Sequence, residues 1–407
     1  HSTEELAAAA FVNNVFNLAI IFATGFSYGL TPLIGMLQGG GNTQGIGRVF
    51  RNALAANASV AVLLTAVMYT VYCFVDKLGQ PEELLPHIRP YFVLQLISLL
   101  FIMLFNGFRQ FAEGLTDTRT PMWILLGGNA LNIFGNYLLI YGSFGFPEWG
   151  LFGAGVSTLV SRIVMLLVFI GVVAVARRYK VYREAILRSR FNRNDFMQLN
   201  ALGWPIALQM GMETAAFSLS AIMVGWLGSI PLAAHQIMIS VSTIGFMVYY
   251  GMGAALAVRV SHFMGQKDFP NLRRAVNSGM GIILSLAIVA SLFFYLARTP
   301  IIYSFTEDHE VMIVVSSLIF SLIVYQFGDA LQITFANALR GTTDVKPMMW
   351  IAFFSYFIVA LPVGYLCGFT WGGGVVGVWV AFPAGLFTAG FLFWLRFRYR
   401  LQQLMKK

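Results

Sequence analysis

Two carboxylates stand where carboxylates are costly. Glu213 lies in the apolar run WPIALQMGMETAAFSLSAIMVGWLG (204–228), and no charged residue follows it until Arg259. Asp329 lies in VYQFGDALQITFANALRG (324–341), well inside another apolar run. A charge at the centre of a membrane helix costs about 2.5–3.5 kcal/mol on insertion scales, so such residues usually face a cavity and mark an ion or proton path. Tyr325 is four residues before Asp329 and shares its helix face. A carboxylate with a phenol one turn away can hold a small cation or relay a proton. Burial penalises the empty charged form, and a bound cation relieves the penalty. That competition is the physical basis for coupling ion binding to something else. The plainer reading of each acid is a neutral carboxyl hydrogen-bonded between helices.

Other polar residues allow two readings. Asn129, Asn132 and Asn136 keep i, i+3, i+7 spacing on one helix face, and Asn13, Asn14, Asn17, Asn106 and Gln110 add to the amides of the first half. They serve interhelical hydrogen bonding or line a cavity. Gln209, Gln236 and Gln332 carry the same ambiguity. Met210, Phe217 and Phe246 lie in segments expected to line a cavity, where aromatic and thioether groups accept flat organic cations. His235 reads as a satisfied buried histidine. Glu113 and Asp117, beside Arg109 and Arg119, read as helix-end salt bridges, and Asp344 with Arg340 and Lys346 reads alike. Cys73 and Cys367 read as small buried hydrophobes, with no disulfide framework. No HExxH, Walker A, GxSxG or Cys/His metal spacing occurs. Without a phosphate-binding loop, an ion gradient is the economical energy source.

The elements that must position these residues follow from composition. Of 407 residues 58% are hydrophobic and 11% charged, where a soluble domain carries about 25% charged. A water-exposed surface cannot be built from so few charges, so the fold class is an all-α polytopic membrane protein. Eleven runs are long enough to span: about 6–36, 53–75, 87–112, 121–142, 152–176, 201–226, 231–262, 275–297, 310–338, 347–368 and 375–396. The net charge of +9 alone would suggest nucleic acid or anionic lipid. Its distribution excludes nucleic acid. Of the 26 Lys and Arg, 21 fall on one set of alternate loops, while Lys77, Arg89 and Arg298 fall on the other and Arg109 and Arg162 lie within segments. The positive-inside rule puts the first set, and the C-terminus, in the cytoplasm.

The chain also repeats itself at an offset near 226. EGLTDTRTPMW (113–123) meets RGTTDVKPMMW (340–350), and WGLFGAGV (149–156) meets WGGGVVGV (371–378). In this register the counterpart of segment 201–226 would precede residue 1. The expectation is therefore two pseudo-symmetric six-helix bundles with the first helix missing. The parts are an N-terminal bundle (1–176), a basic cytoplasmic linker (177–200), a C-terminal bundle (201–398) and a tail (399–407). A parallel repeat of this kind suits alternating access.

YQFGDALQITFANALRG, the Glu213 helix, ELAAAA, EGLTDTRTP and LNIFGNYLLIYGSFGFPEWGLFGAGVST (131–158) resemble the multidrug and toxic compound extrusion (MATE) family, in its NorM-like branch. The resemblance covers essentially the whole chain. It implies a V-shaped, twelve-helix antiporter that exports organic, often cationic and aromatic, compounds against Na⁺ or H⁺ uptake. It implies Glu213, Tyr325 and Asp329 as cation-coupling residues, with Na⁺ held at Glu213 and Asp329 if Na⁺ is the ion. No other cofactor is expected. The expected substrate cavity comprises Met210, Phe217, Gln209, Gln236, Phe246, Gln332 and Asn132. The implied partners are small organic cations or drugs and the lipid bilayer, with a monomer in a bacterial inner membrane. The missing helix normally carries an acid of the N-terminal bundle. A flippase for lipid-linked sugars on the same superfamily fold is the alternative. An intramembrane enzyme or a receptor would need a nucleophile–base pair or a ligand domain, and neither is visible.

Overall fold

The computed structural model describes residues 3–406. Among these residues there are helices and no strands, and eleven helical spans are long and apolar enough to cross a membrane. They are α1 (Glu4–Gly39), α2 (Thr43–Cys73), α3 (Glu82–Gly114), α4 (Arg119–Tyr141), α5 (Gly150–Val175), α6 (Arg193–Gly225), α7 (Ser229–Gln266), α8 (Phe269–Leu296), α9 (His309–Gly341), α10 (Lys346–Thr370) and α11 (Gly374–Met405). All eleven overlap the apolar runs of the sequence. Several begin earlier than hydropathy suggests, and α2 and α8 are among the early starts that carry a side-chain cap. Asn42 caps α2 by accepting from Gly45 N–H at 2.8 Å, and Asp268 caps α8 by accepting from Asn271 N–H at 3.1 Å. Those first turns are polar, so the cap and not apolar content sets the boundary.

The chain divides into two compact units, His1–Ala207 and Leu208–Lys407. In the first, α3 is central and packs against α1, α2 and α5, while α4 packs on α5. Its core includes Val12, Phe16, Ile88, Phe92 and Leu99, with Phe16 and Phe92 edge-to-face at 4.7 Å. In the second, α9 is central and packs against α7, α8 and α11. Span α10 contains two π-helical segments, Phe354–Ala360 and Leu366–Thr370. Cys73 is exposed at the end of α2 and Cys367 is partly exposed, so the expectation that both are buried fails.

The sequence repeat has a structural counterpart inside each unit. Thr116 and Thr343 both adopt left-handed backbone, at φ 63° and 58°. The following N–H groups fold back alike, Asp117 to Ala112 O at 2.9 Å and Asp344 to Leu339 O at 3.1 Å. Each aspartate then takes an arginine, Asp117 with Arg178 at 2.9 Å and Asp344 with Arg396 at 2.6 Å. Glu113 pairs with Arg109 at 2.7 Å. These bonds pin a turn that strained threonine backbone would otherwise oppose.

The linker expected over 177–200 is itself largely helical, with a helix over Lys180–Arg188 and α6 starting at Arg193. It is tied to the first unit. Arg48 binds Asp195 at 2.6 and 3.3 Å, and Asn192 N–H donates to Asn52 Oδ1 at 3.0 Å. Tyr179 donates to Asp117 Oδ2 at 2.5 Å. Burial alone would raise the Asp117 carboxyl, but the Thr120 and Tyr179 hydroxyls, the Thr120 N–H and Arg178 outweigh it and hold the carboxyl below its ordinary value. Burial and the hydrogen bond to Asp117 both push the Tyr179 phenol up.

Gly47 is what lets the linker helix dock. A Cβ there would lie 2.5 Å from Ala185 C and 2.6 Å from Ile186 N, which are backbone atoms that cannot rotate away. Gly47→Val should lower the melting temperature in detergent by several degrees, since overpacking costs about 1–3 kcal/mol. Gly127→Ala, at a site with nothing within 4 Å, should leave it unchanged or slightly higher. An unchanged Gly47→Val protein would show that the linker does not dock there.

Candidate functional site

The second unit gathers its interior polar groups around the two carboxylates. Glu213 is partly buried on α6. Its Oε2 accepts from Gln209 Nε2 at 2.9 Å, one turn away, and from Gln332 Nε2 of α9 at 3.1 Å. Gln332 Nε2 also lies 3.4 Å from the Tyr356 hydroxyl, on the first π segment of α10. Gln209 Oε1 accepts from Arg340 Nη2 at 2.7 Å. A polar chain thus runs from Arg340 through Gln209, Glu213 and Gln332 to Tyr356.

Asp329, on α9, is 1% exposed. Its Oδ2 is buried and has no hydrogen-bond partner. Its charged form would feel that of Glu213, and the phenols of Tyr249, Tyr325 and Tyr356 lie within electrostatic range of Asp329. The Tyr249 hydroxyl and both amide atoms of Gln326 are likewise buried without partners. Orphaned buried polar atoms are rare in folded proteins. Here they collect on the facing sides of α7 and α9. Glycine makes the approach close: a Cβ on Gly245 would sit 2.8 Å from Gln326 Oε1, and one on Gly253 would sit 2.5 Å from Asn337 Nδ2.

No group of three or more His, Cys, Asp or Glu side chains able to hold a metal ion occurs among the described residues. The donors here are carboxylate, phenol and amide oxygens. That set suits a hard cation or a proton rather than a transition metal.

The structure sorts the remaining sequence candidates. Phe217 stacks on Phe382 at 4.8 Å and meets the Tyr325 ring edge-on at 6.3 Å, so it walls the carboxylate cluster. Met210 is partly exposed beside Gln209 on α6. Gln236 is exposed on α7, and Phe246 packs against the Tyr249–Ile283–Ile333 core. Asn132 belongs to the first unit, where its Nδ2 lies 3.3–3.4 Å from the Thr158 and Ser157 hydroxyls. His235 is 1% exposed, and its Nδ1 accepts from the Trp379 indole at 3.1 Å. An indole N–H can only donate, so Nδ1 carries no proton and the ring is neutral.

Gln209 and Gln332, named from the sequence, share Glu213 as their acceptor. Two participants escape sequence reasoning, Arg340 and Tyr356. Arg340 reads as a helix-end partner of Asp344, yet Asp344 takes a two-point bond from Arg396, at 2.6 and 3.0 Å, while Arg340 is buried against Gln209. Tyr356 carries no sequence signal at all.

The family model MatE matches residues 1–138 and 205–366. The chain belongs to the MatE family. It is 30% identical over 412 residues to the multidrug resistance protein NorM of Photobacterium profundum, covering 98% of this chain and 88% of that protein. It is also 30% identical over 398 residues to NorM of Aliivibrio fischeri, covering 96% and 86%. Its fold matches that of a MATE protein crystallised in a straight conformation, with TM-score 0.91 and 20% identity, over 100% of this chain and 90% of that one. An outward-facing multidrug resistance MATE family transporter of the MOP superfamily gives TM-score 0.89 over the same shares, at 20% identity. As a MatE family member the chain is a multi-pass membrane transporter and not an enzyme.

A buried carboxylate oxygen without a partner should cost stability. Asp329→Asn removes the charge with little change of shape. Its melting temperature in Na⁺-free detergent at neutral pH should rise by several degrees, because a buried neutral amide costs less than a buried unpaired charge. A fall of similar size would mean that the carboxylate is already satisfied.

Proposed function

We propose that this chain is a multidrug efflux antiporter that exports organic, often cationic and aromatic, compounds against entry of Na⁺ or H⁺ by alternating access. The observation that carries the reading is the partnerless Oδ2 of Asp329, buried within electrostatic range of Glu213. The names of the NorM relatives support the drug part. Excess Lys and Arg on the loops that include the C-terminus supports a cytoplasmic tail in a bacterial inner membrane.

In this mechanism Asp329 receives the entering cation. Glu213, oriented by Gln209 and Gln332, supplies the second carboxylate. Tyr325 supplies a phenol on the Asp329 face. With the site empty, two acids share a poorly solvated space, and a cationic drug near them is favoured. Phe217 and Phe382 offer flat faces for it, and Met210 a polarisable edge. When Na⁺ or H⁺ neutralises the pair, that attraction falls and the drug leaves. The loaded carrier then turns, releases the cation and takes up new drug. The inward step draws about 2.3 kcal/mol per charge per 100 mV from the potential. Gln236 is exposed on α7, so its substitution should alter substrate preference more than coupling.

The test is ethidium efflux from cells with Na⁺ and pH varied independently. Efflux should follow one of the two gradients and fall at least tenfold in Asp329→Asn and Glu213→Gln. Efflux that ignores both gradients, or that survives intact in both variants, would refute the coupling assignment. Transport of a lipid-linked sugar without drug efflux would favour the flippase.

A further inference from the structure

The second unit carries a surface groove that this mechanism does not use. Six residues line it: Asn277 and Met280 of α8, Leu331 and Phe335 of α9, and Phe391 and Trp394 of α11. Its volume is about 420 Å³. Close packing on either side leaves it open. A Cβ on Gly279 would lie 2.9 Å from Leu256 Cδ1, so α8 is held against α7. One on Gly390 would lie 2.8 Å from Leu331 Cγ and 3.0 Å from Gln332 N, so α11 is held against α9. Phe335 is 8% exposed and Phe391 52%, so α9 forms the floor and α11 a wall.

The groove is apolar along its length and cationic at one end. Arg273, Asn277 and Met280 keep i, i+4, i+7 spacing on one face of α8. Phe391, Trp394 and Arg398 keep i, i+3, i+7 spacing on one face of α11. The first helix leaves a basic loop and the second ends in the basic tail, so both arginines stand at the same end of the groove. Arg273 is about 10 Å along the axis from Met280 at 1.5 Å per residue. The Arg398 guanidinium lies 5.7 Å from the centre of the Trp394 ring. Both arginines are exposed, and among the described residues neither pairs with a carboxylate. Asn277 adds an exposed amide at the boundary between the apolar and basic parts.

An apolar trough with two unpaired cations at its mouth complements a molecule with a hydrocarbon chain and a negative head. In a bilayer that molecule is a phospholipid. A zwitterionic head brings its own cation towards the arginines, whereas a net negative head does not, and basic pockets between membrane helices select such heads. We propose that this groove binds an anionic phospholipid from the leaflet on the basic-loop side. An acyl chain lies along Met280, Leu331, Phe335 and Phe391, and the headgroup phosphate meets Arg273 and Arg398. Leu331 and Phe335 flank Gln332 on α9, so the lipid touches the helix that carries Asp329.

The experiment is native mass spectrometry of the purified full chain, titrated with phosphatidylglycerol or with phosphatidylcholine of identical acyl chains. The unaltered chain should bind phosphatidylglycerol at least about tenfold more tightly. Arg273→Gln and Arg398→Gln should each weaken it about fivefold, the worth of one cation near an anionic headgroup, and leave phosphatidylcholine unchanged. Met280→Trp fills the groove and should weaken both lipids. Arg298→Gln, on the opposite loop side, should change neither. Equal binding of the two lipids by the unaltered chain, or an equal loss in Arg298→Gln, would overturn the proposal. So would displacement of phosphatidylglycerol by inorganic phosphate, which would mean an anion site without a chain. Loss of a dimer in Met280→Trp would mean that a second copy, not a lipid, covers the groove.

Discussion

The structure of the second unit turns on one electrostatic constraint: two carboxylates occupy a helical interior with too little polar surface to solvate both. Glu213 is held on one oxygen by two glutamine amides. Asp329 leaves one oxygen bare. An ionised pair there suffers both desolvation and mutual repulsion. Arg340, the positive side chain in the chain of bonds, donates to Gln209, and its charge also acts on Glu213. The site therefore holds one carboxyl oxygen that no protein group satisfies.

The packing exists to keep it so. Span α9 is central and carries Tyr325, Gln326, Asp329, Gln332 and Arg340 along one helix. Glycines on α7 bring its backbone against Gln326 and Asn337, so packing covers this polar side of α9. The π segment of α10 places Tyr356 against Gln332, and π-bulges recur at functional sites because they re-aim side chains within a helix. Aromatic rings of Phe217, Phe382 and Trp379 close the cluster on another side.

Much of this is legible in the sequence, for reasons of cost. Eleven spans follow from apolar length, and Glu213 and Asp329 announce themselves because acids in such runs are expensive. The repeat shows in EGLTDTRTP and RGTTDVKP because the same strained threonine turn needs the same aspartate in both. What stays hidden depends on which of several equal partners a group selects. Gln209 and Gln332 are indistinguishable from Gln236 by type and spacing. Arg340 stands three residues before the strained Thr343 and reads as surface, yet its side chain turns inward. The starts of α2 and α8 escape a hydropathy reading because caps set them, and the exposure of Cys73 escapes it because the side of a helix that faces outward is not written in its own residue type.

The central claim is that substrate and cation compete for the same pair of acids. It is tested most directly by adding ethidium to the purified protein and measuring what leaves. In a weakly buffered, Na⁺-free solution proton release is read from pH, and with radiolabelled Na⁺ the ion is read by filtration. The account predicts stoichiometric release of one of the two cations from the unaltered chain and none from Asp329→Asn. Ethidium binding that releases neither ion, or release that persists unchanged without the Asp329 carboxylate, would contradict it.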